Sequence, residues 1–119
     1  MAKLLRKDVL KLIRNLKDGS YKKNQKSLVS KDGKRFCCLG VWADQHGCLW
    51  DTNNVGDLIP IARNRKTASP DQGAGTLKPN VSFGLGYWEQ VKLADLNDSY
   101  KSWKRVIAYL KEDILPKAK

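Results

Sequence analysis

Histidine, acidic residues and pairable cysteine are what this chain is short of. Its 119 residues include one histidine, three cysteines, and 12 Asp and Glu against 23 Lys and Arg. A nucleophile needs a base within hydrogen-bond reach. The sole imidazole, His46, stands eight residues beyond Cys38, which along one helix is about 12 Å at 1.5 Å per residue. Cys37 and Cys38 follow Lys34 and Arg35 and open an expected helix, surroundings that lower a thiol pKa. Without a base, what remains is a pair of small apolar side chains packed in the core. An odd count with two adjacent members makes a poor disulfide framework. It makes a poor zinc site too. Cys37, Cys38, His46 and Cys48 lack the knuckle spacing, and neighbours on a helix point about 100° apart. No catalytic residue, no metal and no cofactor is expected.

Long apolar runs are also missing. None approaches the length of a membrane span, and Met1 to Lys7 turns charged at once with no apolar signal-peptide region behind it. The expectation is a soluble, cytoplasmic protein with reduced thiols. Gly73-Ala74-Gly75 and Gly84-Leu85-Gly86 are not followed by the helix and Lys-Ser/Thr of a phosphate-binding loop. There is no RNA-recognition signature, basic zipper, helix-turn-helix order or internal repeat, and a single domain is expected.

What is abundant is positive charge at the two ends. Residues 1–35 hold 12 Lys and Arg against 3 Asp and Glu, residues 36–98 hold 5 against 7, and residues 99–119 hold 6 against 2. If the two basic ends meet in space they make one positive face, which favours an anionic partner.

The order of elements follows from periodicity. Leu5, Val9, Leu12, Ile13 and Leu16 share one face of a helix over residues 3–18, closed by Gly19. Ser20 to Gln25 reads as extended. Lys26–Ser30 and Lys34–Cys37 flank Lys31-Asp32-Gly33, a hairpin signal with Leu28 and Phe36 facing inward. From Cys37 or Cys38 to His46 the chain is apolar nearly all round, so this helix is the expected buried centre, with Gly40 at odds with it. Cys48-Leu49-Trp50 and Leu58-Ile59 suit short strands, and Arg63 to Lys66 a basic turn. Ala68 to Pro79 is a loop, and Val81 to Gly86 fits either strand or loop. Tyr87 to Ala94 suits a short helix with Tyr87, Trp88, Val91 and Ala94 inward. Asn97-Asp98 is read as a turn and cap before a last helix over Tyr100–Ile114, ended by Pro116. The class is α+β: one small domain of about four helices with a small antiparallel hairpin or sheet.

Two segments carry a resemblance. The first is Gly19-x-Tyr21-Lys22, Gln25 and Leu28, followed by Phe36-Cys37-Cys38-Leu39-Gly40-Val41. The second is Leu93-x-x-Leu96-Asn97-Asp98 with Trp103 and Ile107-Ala108. Together they resemble a family of small uncharacterised proteins of tailed phages and prophages. The likeness covers residues 19–42 and 93–110. In that pattern a Leu-Pro-containing helix precedes the second segment, for which Leu58-Ile59-Pro60 is a loose counterpart. The resemblance implies a phage context and assigns no catalytic residue.

The candidate binding residues are Tyr21, Lys22, Gln25, Arg35, Asn97 and Asp98. An aromatic face with several cations and amides suits a nucleotide or phosphate. The expected function is a phage-type binding protein that counters host defence by sequestering an anionic ligand such as a signalling nucleotide. The alternatives are a nucleic-acid-binding protein, on charge, or an inhibitor docking on a host defence protein. A homo-oligomer is left open, since sequestering proteins are often oligomeric, although no stripe marks an interface.

Overall fold

The computed structural model describes residues 3–69 and 72–119. Helix α1 (Arg6–Lys17) buries Val9, Leu12, Ile13 and Leu16 and turns its lysines and arginines outward. Asp8 lies in its first turn and Arg14 and Lys17 in its last, each at the end of the helix dipole that favours its charge. Gly19, at φ +79°, turns the chain back. The short strand β1 (Lys22–Lys23) follows.

The expected Asp-Gly turn forms. Gly33 has φ +74°, its N–H donates to Ser30 O (2.8 Å), and Ser30 N–H donates to Arg35 O (2.8 Å). The two arms do not make a strand pair, however. They share a single bridge between Val29 and Phe36. Strand β2 (Arg35–Phe36) instead pairs in parallel with β1, Lys22 beside Arg35 and Lys23 beside Phe36. Two features work against a strand pair here. Lys26 adopts φ +71°, which breaks an extended run, and Leu28 N–H donates to the distant Ala74 O (2.7 Å).

Helix α2 (Cys38–Gln45) is the centre that the sequence suggests, with Cys38 to Ala43 all buried. Cys37 is its N-cap, and its Sγ accepts from Gly40 N–H (3.4 Å). Gly40 is there for a packing reason. A Cβ at this position would overlap the Leu28 carbonyl oxygen. That carbonyl also accepts Cys37 N–H (3.0 Å). The helix thus rides directly on the backbone of the preceding segment. His46 and Gly47 (φ +81°) close it.

Strands β3 (Leu49–Thr52) and β4 (Leu58–Ile61) form an antiparallel hairpin in which Leu49 faces Ile61 and Thr52 faces Leu58. Pro60 is tolerated in β4 because a two-stranded sheet leaves one side of each strand unpaired. Leu58-Ile59-Pro60 is therefore strand, not helix. The one-turn helix α3 (Pro79–Ser82) occupies the start of the stretch read as strand or loop. Phe83 (φ +50°) and Gly84 (φ +87°) then reverse the chain.

Helix α4 (Tyr87–Ser99) is longer than expected and inverted in facing. Tyr87, Trp88 and Val91 are 62%, 75% and 37% exposed, whereas Gln90, Leu93 and Asn97 are buried. The inward polar side chains are there to hold backbone. Gln90 Oε1 accepts Leu77 N–H (2.7 Å), and its Nε2 donates to Leu77 O (3.1 Å) and Leu85 O (3.2 Å). Asn97 and Asp98 lie inside this helix, so Asp98 does not cap the next one. Helix α5 (Lys104–Tyr109) starts after Trp103, widens into a π-turn over Leu110–Ile114 and ends in a 3-10 turn at Leu115–Lys117. Trp103, Val106, Leu110 and Ile114 are its buried stripe.

The described residues thus give an α+β domain of five helices and two two-stranded sheets. Its core lies among α1, α2, α4 and the closing helix. Trp42 is fully buried there, with Nε1–H on Ser82 O (2.7 Å). Lys119 N–H donates to Leu4 O (2.8 Å), which ties the two basic ends of the chain together. No helix among these residues is long and apolar enough to cross a membrane.

Candidate anion-binding grooves

The six candidate residues fall into two places. Tyr21 and Lys22 line an open groove of about 830 Å³ between α1, β1 and the last turn of α2. Lys11 enters it from α1, and Lys34 and Phe36 come from the turn and strand β2. Tyr21 is fixed by Asp44, whose Oδ2 accepts the phenol O–H (2.7 Å) while Oδ1 accepts Trp50 Nε1–H (3.0 Å). Burial first, and then the Asp44 carboxylate, push the Tyr21 pKa well up, so the phenol stays a neutral donor. The Tyr21 ring meets Phe36 edge-on at 5.0 Å, and Phe36 meets Trp50 edge-on at 6.2 Å. Asn15 and Gln45 close one wall, with Asn15 Nδ2 donating to Gln45 Oε1 (3.0 Å) and Gln45 Nε2 to Asp8 O (2.9 Å).

Arg35 is exposed beside Lys22 across the parallel pair and does not line this groove. Gln25, Asn97 and Asp98 lie elsewhere, at the junction of the 24–27 loop with α4. Asn97 is fully buried and fully committed. Its Oδ1 accepts Cys38 N–H (3.1 Å) and Trp103 Nε1–H (2.7 Å). Its Nδ2 donates to Asn24 O (2.9 Å) and Asp98 Oδ1 (3.2 Å). Asn97 is therefore a clasp between the start of α2, the basic loop and the closing helix, not a ligand contact. The Asp98 carboxylate also accepts Lys26 N–H (2.8 Å), and the Asp98 carbonyl accepts Gln25 Nε2 (3.1 Å). Its acceptors serve the protein's own backbone and side chains.

Sequence reasoning missed Lys11, Asn15, Lys34, Asp44 and Gln45. The one available signal was the i, i+4 spacing of Lys11 and Asn15 on the outer side of α1; nothing in the pattern joined them to Lys34 or Asp44.

The thiols sit in the opposite of an activating environment. Burial pushes Cys37 and Cys48 each up to about 11 and raises Cys38 well above its ordinary value. The contacts of His46 are with other groups. Its Nδ1 lies 2.7 Å from Trp42 O, its ring stacks on Phe83 at 4.1 Å, and its Nε2 is 3.2 Å from Asp8 Oδ2, near but off the line of a hydrogen bond. Its ring packs α2 against the turn after α3. Among the described residues no three His, Cys, Asp or Glu side chains gather to hold a metal ion. Comparison with protein-family models, curated proteins and solved structures finds no match.

Proposed function

We propose that the protein is a non-enzymatic binder of a nucleotide-class anion, seated in the groove around Tyr21. The observation that carries this reading is the convergence of Lys11, Lys22 and Lys34 with Tyr21 and Phe36 on one groove of about 830 Å³, a size that suits a small ligand. The lysines offer phosphate donors, and the aromatic pair offers an apolar surface for a base. The Asp44 bond holds Tyr21 in place before a ligand arrives, which lowers the cost of ordering it. With the resemblance to phage proteins, the role follows as sequestration of a host signalling nucleotide in the host cytoplasm, which needs tight binding and no chemistry.

The test is native mass spectrometry of protein purified from cells with an active nucleotide-signalling defence, before and after heat release, followed by calorimetric titration of the released species. A bound nucleotide that Lys22→Gln and Lys34→Gln each weaken at least ~5-fold, the equivalent of about 1 kcal/mol for a lysine–phosphate pair in a solvated site, supports the reading. An apo mass, together with no heat signal from cyclic or ADP-ribose-type nucleotides, refutes it.

A second reading, nucleic-acid binding, is favoured by the joining of the two basic ends, in which Lys101 comes beside Lys23 and Lys26. It requires an affinity for DNA or RNA that falls steeply with salt. A flat salt dependence eliminates it.

A further inference from the structure

We infer that the loop from Lys23 to Lys26, together with Lys101, forms a second oxyanion site that takes a phosphate-type group and is separate from the Tyr21 groove. The inference does not rest on the proposed nucleotide site. Successive residues of a strand point to opposite sides. Accordingly Lys22 lines the Tyr21 groove, while Lys23 lines a second depression of about 460 Å³ with Asn24, Gln25, Lys26 and Lys101. That lining contains three cations and no carboxylate. The nearest acid, Asp98, points its Oδ1 at Lys26 N–H and Asn97 Nδ2. Among the described residues, Lys26 and Lys101 form no ion pair.

Two further features set this loop apart from ordinary surface lysines. Lys26 holds φ +71°, a left-handed conformation that glycine adopts without strain and lysine does not. The loop is also built rigidly. Asn24 Nδ2 donates to Ser27 O and Oγ, Asn24 N–H donates to Phe36 O (2.8 Å), and Gln25 Nε2 and Lys26 N–H both reach Asp98. The Lys23 ammonium donates to Asn97 O. Burial there lowers its pKa, against the pull of Asp98, so an incoming anion would relieve a partly desolvated charge. One N–H of Gln25 and the lysine ammoniums remain to bind an oxyanion.

The test is a ¹H–¹⁵N NMR titration of the full chain with inorganic pyrophosphate, against sodium chloride of matched ionic strength. The expected result is a saturable shift of the amides of residues 23–27, weakened at least ~5-fold by Lys101→Gln and by Lys26→Gly, on the scale of one lost charge pair. Lys26→Gly keeps or raises the melting temperature, because the left-handed conformation is relieved; if this variant failed to fold, Lys101→Gln alone would decide. The double variant Lys22→Gln/Lys34→Gln leaves the 23–27 response intact. Shifts that sodium chloride reproduces, or that both loop variants leave unchanged, overturn the site. Loss of the response in the Lys22/Lys34 variant overturns its separateness and places the anion in the Tyr21 groove.

Discussion

Replacing Asn97 by alanine removes both halves of the clasp at once, and the structure allows the loss to be sized. Two buried donors, Cys38 N–H and Trp103 Nε1–H, lose their shared acceptor, and Asn24 O loses its donor. A buried donor left unsatisfied costs about 1–3 kcal/mol, so two cost about 4 kcal/mol, reduced to about 3 kcal/mol if water enters the space. Domains have about 0.05–0.15 kcal/mol of stability per residue, so this is a large share of the total. In urea denaturation, with a slope of about 2 kcal/mol per molar, the midpoint falls by about 1.5 M at unchanged slope. Asn97→Asp sharpens the test. It is nearly isosteric and keeps an acceptor for both donors, but it aims a carboxylate at Asn24 O and at Asp98 Oδ1. It therefore destabilises too, despite the close match in shape. If Asn97 were a turn residue or an open ligand contact, both variants would cost under about 0.5 kcal/mol. A midpoint shift below about 0.25 M for Asn97→Ala would refute the clasp.

Gly40→Ala gains about 1 kcal/mol of helix propensity yet lowers the urea midpoint, because its Cβ would overlap the Leu28 carbonyl oxygen, which cannot rotate away; a stabilised variant would contradict that packing. Trp88→Ala changes stability by less than about 0.5 kcal/mol, whereas Trp42→Ala costs about 3–5 kcal/mol; equal losses would mean that α4 faces the other way. Cys37, Cys38 and Cys48 resist a thiol reagent at pH 8 in the native protein and react at once in denaturant; rapid native labelling would contradict their burial. Their raised folded-state pKa values, with that of Tyr21, make stability full below the ordinary thiol pKa. It is lost as pH climbs from there through about 11, the folded value for Cys37 and Cys48. Melting temperatures that stay flat from pH 8 to about pH 11 would refute this.

The pieces whose physics is local were legible in the chain. Helix α1 announced itself because Val9, Leu12, Ile13 and Leu16 repeat with the helical period. Gly19 and Gly33 marked two chain reversals because each holds a positive φ that glycine adopts freely. Helix α2 read as the centre because a helix apolar nearly all round has nowhere else to go. Tertiary structure alone decided the rest. The inward face of α4 could not be read from hydrophobicity, because Gln90 and Asn97 are buried to satisfy the backbone of residues distant in sequence, leaving Tyr87 and Trp88 outside. The parallel pairing of Lys22-Lys23 with Arg35-Phe36 depends on Leu28 being drawn off to Ala74. The same holds for the grooves. Lys11, Tyr21 and Lys34 sit on three different segments, and Lys101 approaches Lys26 from the other end of the chain. Sequence distance carries no information about such meetings, because they are set by how the helices pack on α2, not by any pattern along the chain.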